Sequence, residues 1–385
     1  MKHIVISILT VFLFQFSSAC NSESNSTEVI IDPPPGDGGD PPTTDSVSIS
    51  FVQSEQSLGN TRSFGIVVAD VDLDGDNDIF VPNYINASLL WINDGEGSFT
   101  LHNQRFGSGW TGTHAADIGD INGDSYPDII LASHDVPSTI YLNSGSNSFT
   151  VSTQQFGGPG EHPHTVQLAD VDGDGDLDAY FCNGSTANRM WLNDGNGSFT
   201  MKGVEYSGRN SYGKVLADFN GDSFPDMYLS YENAPSEIWL NDASGNFTNS
   251  GYSLNGAGNY IHYADVDGDG DIDIVSGSPE ITIWQNENNT GRFTLIASLG
   301  EWASRSLLFD ADGDGDCDLI STSPENGNKL WINDSGTFIS QGAIFGTASV
   351  HGVECADLNS DNKLDVVLGL IENSGGNKIF FNTTE

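Results

Sequence analysis

Positive charge is what this chain has least of. Twelve Lys and Arg stand against 54 Asp and Glu, for a net charge of −42. Such a field repels phosphate backbones and anionic lipid surfaces, which argues against nucleic acid as a partner and leaves membrane attachment to a lipid anchor alone. Cysteine is nearly as scarce, at four residues. Cys20 ends a leader-like segment, and Cys182, Cys317 and Cys355 lack the spacing of a thiolate metal box or a disulfide framework. The one long apolar run, Ile4 to Phe16, is too short to span a membrane as a mature helix. No nucleophile motif appears. No carboxylate pair stands apart from the chain's repeated acidic pattern as an acid–base couple.

That pattern is the most informative feature present. In Asp170 to Asp178, DVDGDGDLD, aspartates hold places 1, 3, 5 and 9, the alternation a short loop needs to turn several oxygens onto one hard cation. Calcium takes six to eight oxygens in flexible geometry, so Asp170, Asp172, Asp174 and Asp178 with a carbonyl and water would suit it. Six further copies supply Asp70, Asp72, Asp74 and Asp78; Asp120, Asn122, Asp124 and Asp128; Asp218, Asn220, Asp222 and Asp226; Asp265, Asp267, Asp269 and Asp273; Asp310, Asp312, Asp314 and Asp318; and Asp357, Asn359, Asp361 and Asp365. Up to seven Ca²⁺ ions are therefore expected. Place 6 is glycine in four loops, where a tight turn favours it. It is Ser125, Ser223 and Asn362 in the others, which predicts weaker binding there. None of the loops has the acidic place 12 of an EF-hand.

The N-terminus reads as an export signal over residues 1–20, with Lys2, the apolar run, and Ser17-Ser18-Ala19 before Cys20. This resembles a bacterial lipoprotein box with Cys20 as the lipidation site, although Ser17 replaces the usual Leu. Outer-membrane or cell-surface display is then expected, with plain secretion as the alternative. Residues 21–46 are rich in Ser, Pro, Gly and Asp and read as a disordered tether.

Successive loops begin 50, 50, 48, 47, 45 and 47 residues apart, the period of a propeller blade. Each unit repeats an apolar strand into the loop, a second out of it, a third carrying WIN, YLN or WLN, and a fourth opening on a phenylalanine such as Phe99 or Phe199. Residues 47–385 are thus an all-β, seven-bladed propeller. The seventh unit stops before its fourth strand. The N-terminal VSISFVQ, with Phe51, supplies the missing strand and closes the ring, and a monomer is expected. Trp91, Trp191, Trp239, Trp284 and Trp331, at one place on the third strand, are expected to pack between blades.

The loops and blades resemble the FG-GAP or VCBS repeats of bacterial secreted proteins. They are similar also to the calcium-loop blades of integrin α-subunit propellers and of a fungal seven-bladed lectin. The resemblance implies the fold and leaves function open among adhesion, carbohydrate binding, scaffolding and polysaccharide cleavage.

A ligand face is expected opposite the loops. Six residues before each loop, near the channel mouth, stand Phe64, His114, His164, Tyr212, Asn259, Ser304 and His351, with Trp110 and Arg305 nearby. These positions suit a surface that binds glycans or proteins, with packing as the plain alternative. A polysaccharide lyase or hydrolase using Tyr212 or a histidine as base and Arg305 against a substrate carboxylate is the enzymatic alternative; a scaffold docked at the disc edge is a third. Zinc held by His114, His164 and His351 is disfavoured, because the blades of His114 and His351 are not adjacent.

Overall fold

The structure, a computed structural model, describes residues 49–385 except 60–61, 108–111, 146–147, 159, 185, 207–210, 232–233, 256–260 and 372–374; the side chains of 203–206 and 211–214 are likewise not described. The leader, Cys20 and the tether, like Trp110 and Asn259, lie outside the described residues, as does the Tyr212 side chain.

Every described element is a strand, and the strands form seven four-stranded antiparallel sheets. Blade 1 runs Val67–Ala69, Asp78–Val81, Leu89–Asn93 and Phe99–Leu101 in order from the axis outward. Blades 2 to 6 repeat that order. Blade 7 takes its inner three strands from Val350–Ala356, Asp365–Leu370 and Lys378–Asn382, and its outer strand from Phe51–Gln53. Phe51 pairs with Asn382 and Gln53 with Phe380, so the two ends of the domain share one sheet.

The apolar clusters lie between blades. One joins Ile121, Ile130 and Ile140 of blade 2 to Val166, Leu168 and Phe181 of blade 3, with Trp191 packed against it. Another joins Ile79, Val81 and Phe99 of blade 1 to Leu358, Val367 and Ile379 of blade 7. A lone blade would leave half of such a core in water, so burial rewards the closed ring. Cys182 and Cys355 are buried free thiols. Cys317 is buried as well.

A polar seam repeats around this ring. The place-9 carboxylate of each loop accepts hydrogen bonds from two backbone amides, as Asp178 does from Val171 at 3.1 Å and Asn193 at 2.8 Å. The side-chain amide of Asn193 then donates to the carbonyl of Ile121, in the loop of the preceding blade, at 2.8 Å. Asn93, Asn143, Asn241, Asn286, Asn333 and Asn382 make the equivalent inter-blade bond at 2.8–3.0 Å. All seven junctions carry it, including blade 1 to blade 7.

Replacing Asn193 by Ala strands the buried carbonyl of Ile121 and the half-buried one of Leu177. It is expected to lower stability by about 2–3 kcal/mol in urea unfolding. Phe51→Ala, which removes edge contacts to Phe345 and Phe309 at 5.1 and 6.4 Å, is expected to cost about 3 kcal/mol.

Candidate functional site: aspartate loops on one face and a histidine cluster on the other

Each aspartate loop is wound by its own side chains. In the third, Asp170 accepts from the amides of Gly173 at 2.7 Å and Gly175 at 3.0 Å, and Asp174 from that of Asp176 at 3.0 Å. Places 4 and 6 both sit at positive φ in all seven loops. Ser125, Ser223 and Asn362 reach φ of 72°, 71° and 62°, so the loops without glycine at place 6 keep the backbone path of the others. The turn at place 4 was not foreseen, because Leu73 there, at φ 60°, is no turn former.

Among the described residues, three carboxylates approach within 4.8 Å in four loops: Asp70, Asp72 and Asp78; Asp170, Asp172 and Asp178; Asp265, Asp267 and Asp269; and Asp310, Asp312 and Asp318. These groups could hold a metal ion. The donors are all oxygen, which suits a hard cation such as calcium. Asp172 adds a direct sign, since its Oδ1 is buried without a hydrogen-bond partner. Place 3 is asparagine in the three loops that lack such a triad.

The place-9 carboxylates sit where a negative charge is costly. Burial, opposed by their two amide hydrogen bonds and reinforced by neighbouring aspartates, pushes Asp78, Asp128, Asp178, Asp226, Asp273, Asp318 and Asp365 each up to about 7.

The opposite face gathers rings. Phe64 lies 4.4 Å from His114 and 4.9 Å from His351, centroid to centroid, and His114 lies 5.1 Å from His164. Four of the residues six before a loop therefore form one continuous arc. Arg305 donates from Nε to the carbonyl of His351 at 2.8 Å, which fixes it beside the arc. Two residues without a forecast role complete the group. Tyr84 stands 5.0 Å from His114, and the Arg62 guanidinium lies over Phe64 and Tyr84 at 5.0 and 5.3 Å. His134 stacks on His114 with centroids 3.7 Å apart and planes 9° from parallel. Tyr84 and His134 share a repeat position, fourteen residues after the loop start, and Gly184 fills it in blade 3. Scanning that position along the sequence would have found Tyr84.

Burial, and repulsion from neighbouring histidines and arginines, hold these imidazoles neutral. His114 is driven down to about 2, His134 and His351 to about 4, and His164 also downward. Between the faces runs a channel of about 670 Å³ lined by Asp117, Gln167, His262, Tyr263 and Glu354. Asp117, Gln167 and His262 each accept a backbone amide from the next blade, at 2.8, 3.1 and 3.3 Å. They stitch the inner strands together. Desolvation and the charge of Asp117 raise Glu354 to about 8.

A family model for the FG-GAP-like repeat matches residues 70–131, 120–181, 218–276 and 310–368, more than half of the chain. This is an FG-GAP-repeat protein. No curated protein matches the FG-GAP chain. Among solved structures it is similar to BBS1N in a complex with ARL6DN, with a TM-score of 0.61, 9% identity, and coverage of 87% of this chain and 98% of that one. It is similar also to the BP39L lectin of Burkholderia pseudomallei, with a TM-score of 0.62, 9% identity, and coverage of 84% and 97%. At such identities the likeness of the FG-GAP protein to both is one of fold.

Two outcomes follow for the metal-free form. Leu73→Gly relieves a left-handed leucine and is expected to stabilise the protein by about 1 kcal/mol in chemical denaturation. For pH, a carboxylate raised in the fold loses its stabilising proton as pH climbs from about 4 to about 7, whereas an imidazole lowered in the fold costs stability as pH falls below about 6.5. Seven raised carboxylates oppose His114, His134, His164, His262 and His351 in the shared window. Melting of chelated protein is therefore expected to rise as pH drops from about 7.5 to about 6.5 and to flatten below.

Proposed function

We propose that this chain is a calcium-stabilised binding module that presents the histidine face of its propeller to a glycan or protein ligand. The observation that carries this reading is the gathering of Phe64, Tyr84, His114, His134, His164 and His351 beside Arg62 and Arg305, on a protein that is acidic elsewhere. Flat rings flanked by a few fixed polar groups suit a sugar or a peptide, and the guanidinium groups suit a carboxylate or sulfate on it. That one structural neighbour is a lectin and another was captured in a protein complex supports a binding role.

Calcium fits the other face. In each loop the side-chain oxygens at places 1, 3, 5 and 9 would hold the ion, and its two positive charges would offset carboxylates that otherwise repel one another. Because the place-9 carboxylate also anchors the inter-blade asparagine, filling a loop tightens a seam. The metal would thus be structural, and the ligand would bind without touching it.

Two measurements test the two halves. Chelation is expected to lower the melting temperature of the calcium-loaded protein by on the order of 10 °C, since each site filled at about a hundredfold excess over its Kd adds about 2.7 kcal/mol. A melting curve indifferent to calcium would overturn the structural role of the ion. Glycan-array screening of the calcium-loaded protein is expected to yield hits weakened at least tenfold by Phe64→Ala or His351→Ala without loss of melting temperature. Cleavage of a uronate polymer into unsaturated products would replace the binding module with a lyase.

A further inference from the structure

His114, His134 and His164 converge more closely than ring packing requires. One nitrogen of each lies within 4.8 Å of those of the other two. Two come from the inner strands Thr113–Gly119 and Pro163–Ala169 of blades 2 and 3, and His134 from the turn that follows Asp128–Ser133. The sequence disfavoured a trio completed by His351; His351 indeed packs on Phe64 of the intervening blade, and His134 stands beside His114 instead.

His134 carries two further observations. Its ring hydrogen-bonds the backbone of Pro163, and its Nε2 is buried with no hydrogen-bond partner. Proline offers only a carbonyl, so Nδ1 is the donor and the lone pair resides on Nε2. A carbonyl on one imidazole nitrogen and an unspent lone pair on the other is how a metal-bound histidine is held. Gly184 makes room: a Cβ there would fall 2.2 Å from Nε2 of His164.

We propose that His114, His134 and His164 bind one divalent transition-metal ion, zinc by preference, at a site separate in chemistry and position from the aspartate loops. Imidazole nitrogens favour zinc, copper or nickel, whereas calcium demands oxygens, so the two sites do not compete for one ion. Three histidines leave one position of a tetrahedral zinc to water or to a ligand oxygen. Parallel rings 3.7 Å apart cannot aim in-plane lone pairs at a common point, so one ring turns when metal binds. His134 is tied to Pro163, whereas the His114 ring is held by contacts with Phe64 and Tyr84, so His114 is the ring that turns. Zinc–nitrogen bonds of about 2.1 Å put tetrahedral ligands about 3.4 Å apart, which asks for a contraction of at most about 1.4 Å. The site stands whether or not this face binds a glycan.

Calorimetric titration of the full chain with Zn²⁺ in saturating calcium tests it, with Co²⁺ absorption reporting the ligand set. One tight equivalent is expected, weakened at least a hundredfold by His114→Ala, by His134→Ala and by the bulk-conserving His134→Phe, and unchanged by His102→Gln outside the cluster. Calcium-dependent melting of each variant establishes that it is folded, and His114→Ala gives the same readout if the His134 variants are not. Absence of a tight equivalent in the wild type, or its survival in folded His114 and His134 variants, overturns the site.

Discussion

The structure depends on a carboxylate that serves two masters. The place-9 aspartate of each loop is buried, and a buried carboxylate is tolerated only when its oxygens are satisfied. Two backbone amides satisfy it, one from within its loop and one from the asparagine that ends the third strand. That asparagine reaches across to the preceding blade. A charged hydrogen bond contributes about 1.5–3 kcal/mol, and here it orients a neutral one at every blade junction. The same oxygens face the loop interior, where other aspartates crowd them. Cation binding and blade packing are thereby two outcomes of one geometry.

This arrangement frees the far end of each inner strand. Six residues separate a loop's first aspartate from the face position, about 20 Å of extended chain. Side chains there make few demands on the seam, so Phe, His and Ser occupy equivalent positions without disturbing the blades. A repeated architecture thus carries an unrepeated surface, and its individuality lies in Phe64, Tyr84, His114, His134, His164 and His351.

Most of the fold was legible in the sequence because its signals are local and recur. The loops, the strand order and the closing role of Phe51 follow from spacing alone, and the pairing of Phe51 with Asn382 agrees with them. The seam was not legible. In WIN and WLN the asparagine reads as the end of a strand, since its partner lies in another blade some 70 residues away. The histidine arc was legible by position, yet not its closure. His134 comes from a turn rather than from the repeated strand position, and its convergence on His114 and His164 is a property of side-chain direction that periodicity does not encode. Arg62 and Tyr84 escaped for the same reason. Leu73 shows the reverse limit: the seven-fold geometry of the loop overrides a residue whose own preference opposes it.

The last blade is built from both ends of the domain. Until Lys378–Asn382 has been made, Phe51–Gln53 has no sheet to join, and the apolar side of blade 1 facing blade 7 stays open. Six blades can gather behind it, but the circle is completed only when Lys378–Asn382 is in place. Ring closure consequently waits on the strand Lys378–Asn382, and the gathering of blades and the closing of the circle are separate steps in time.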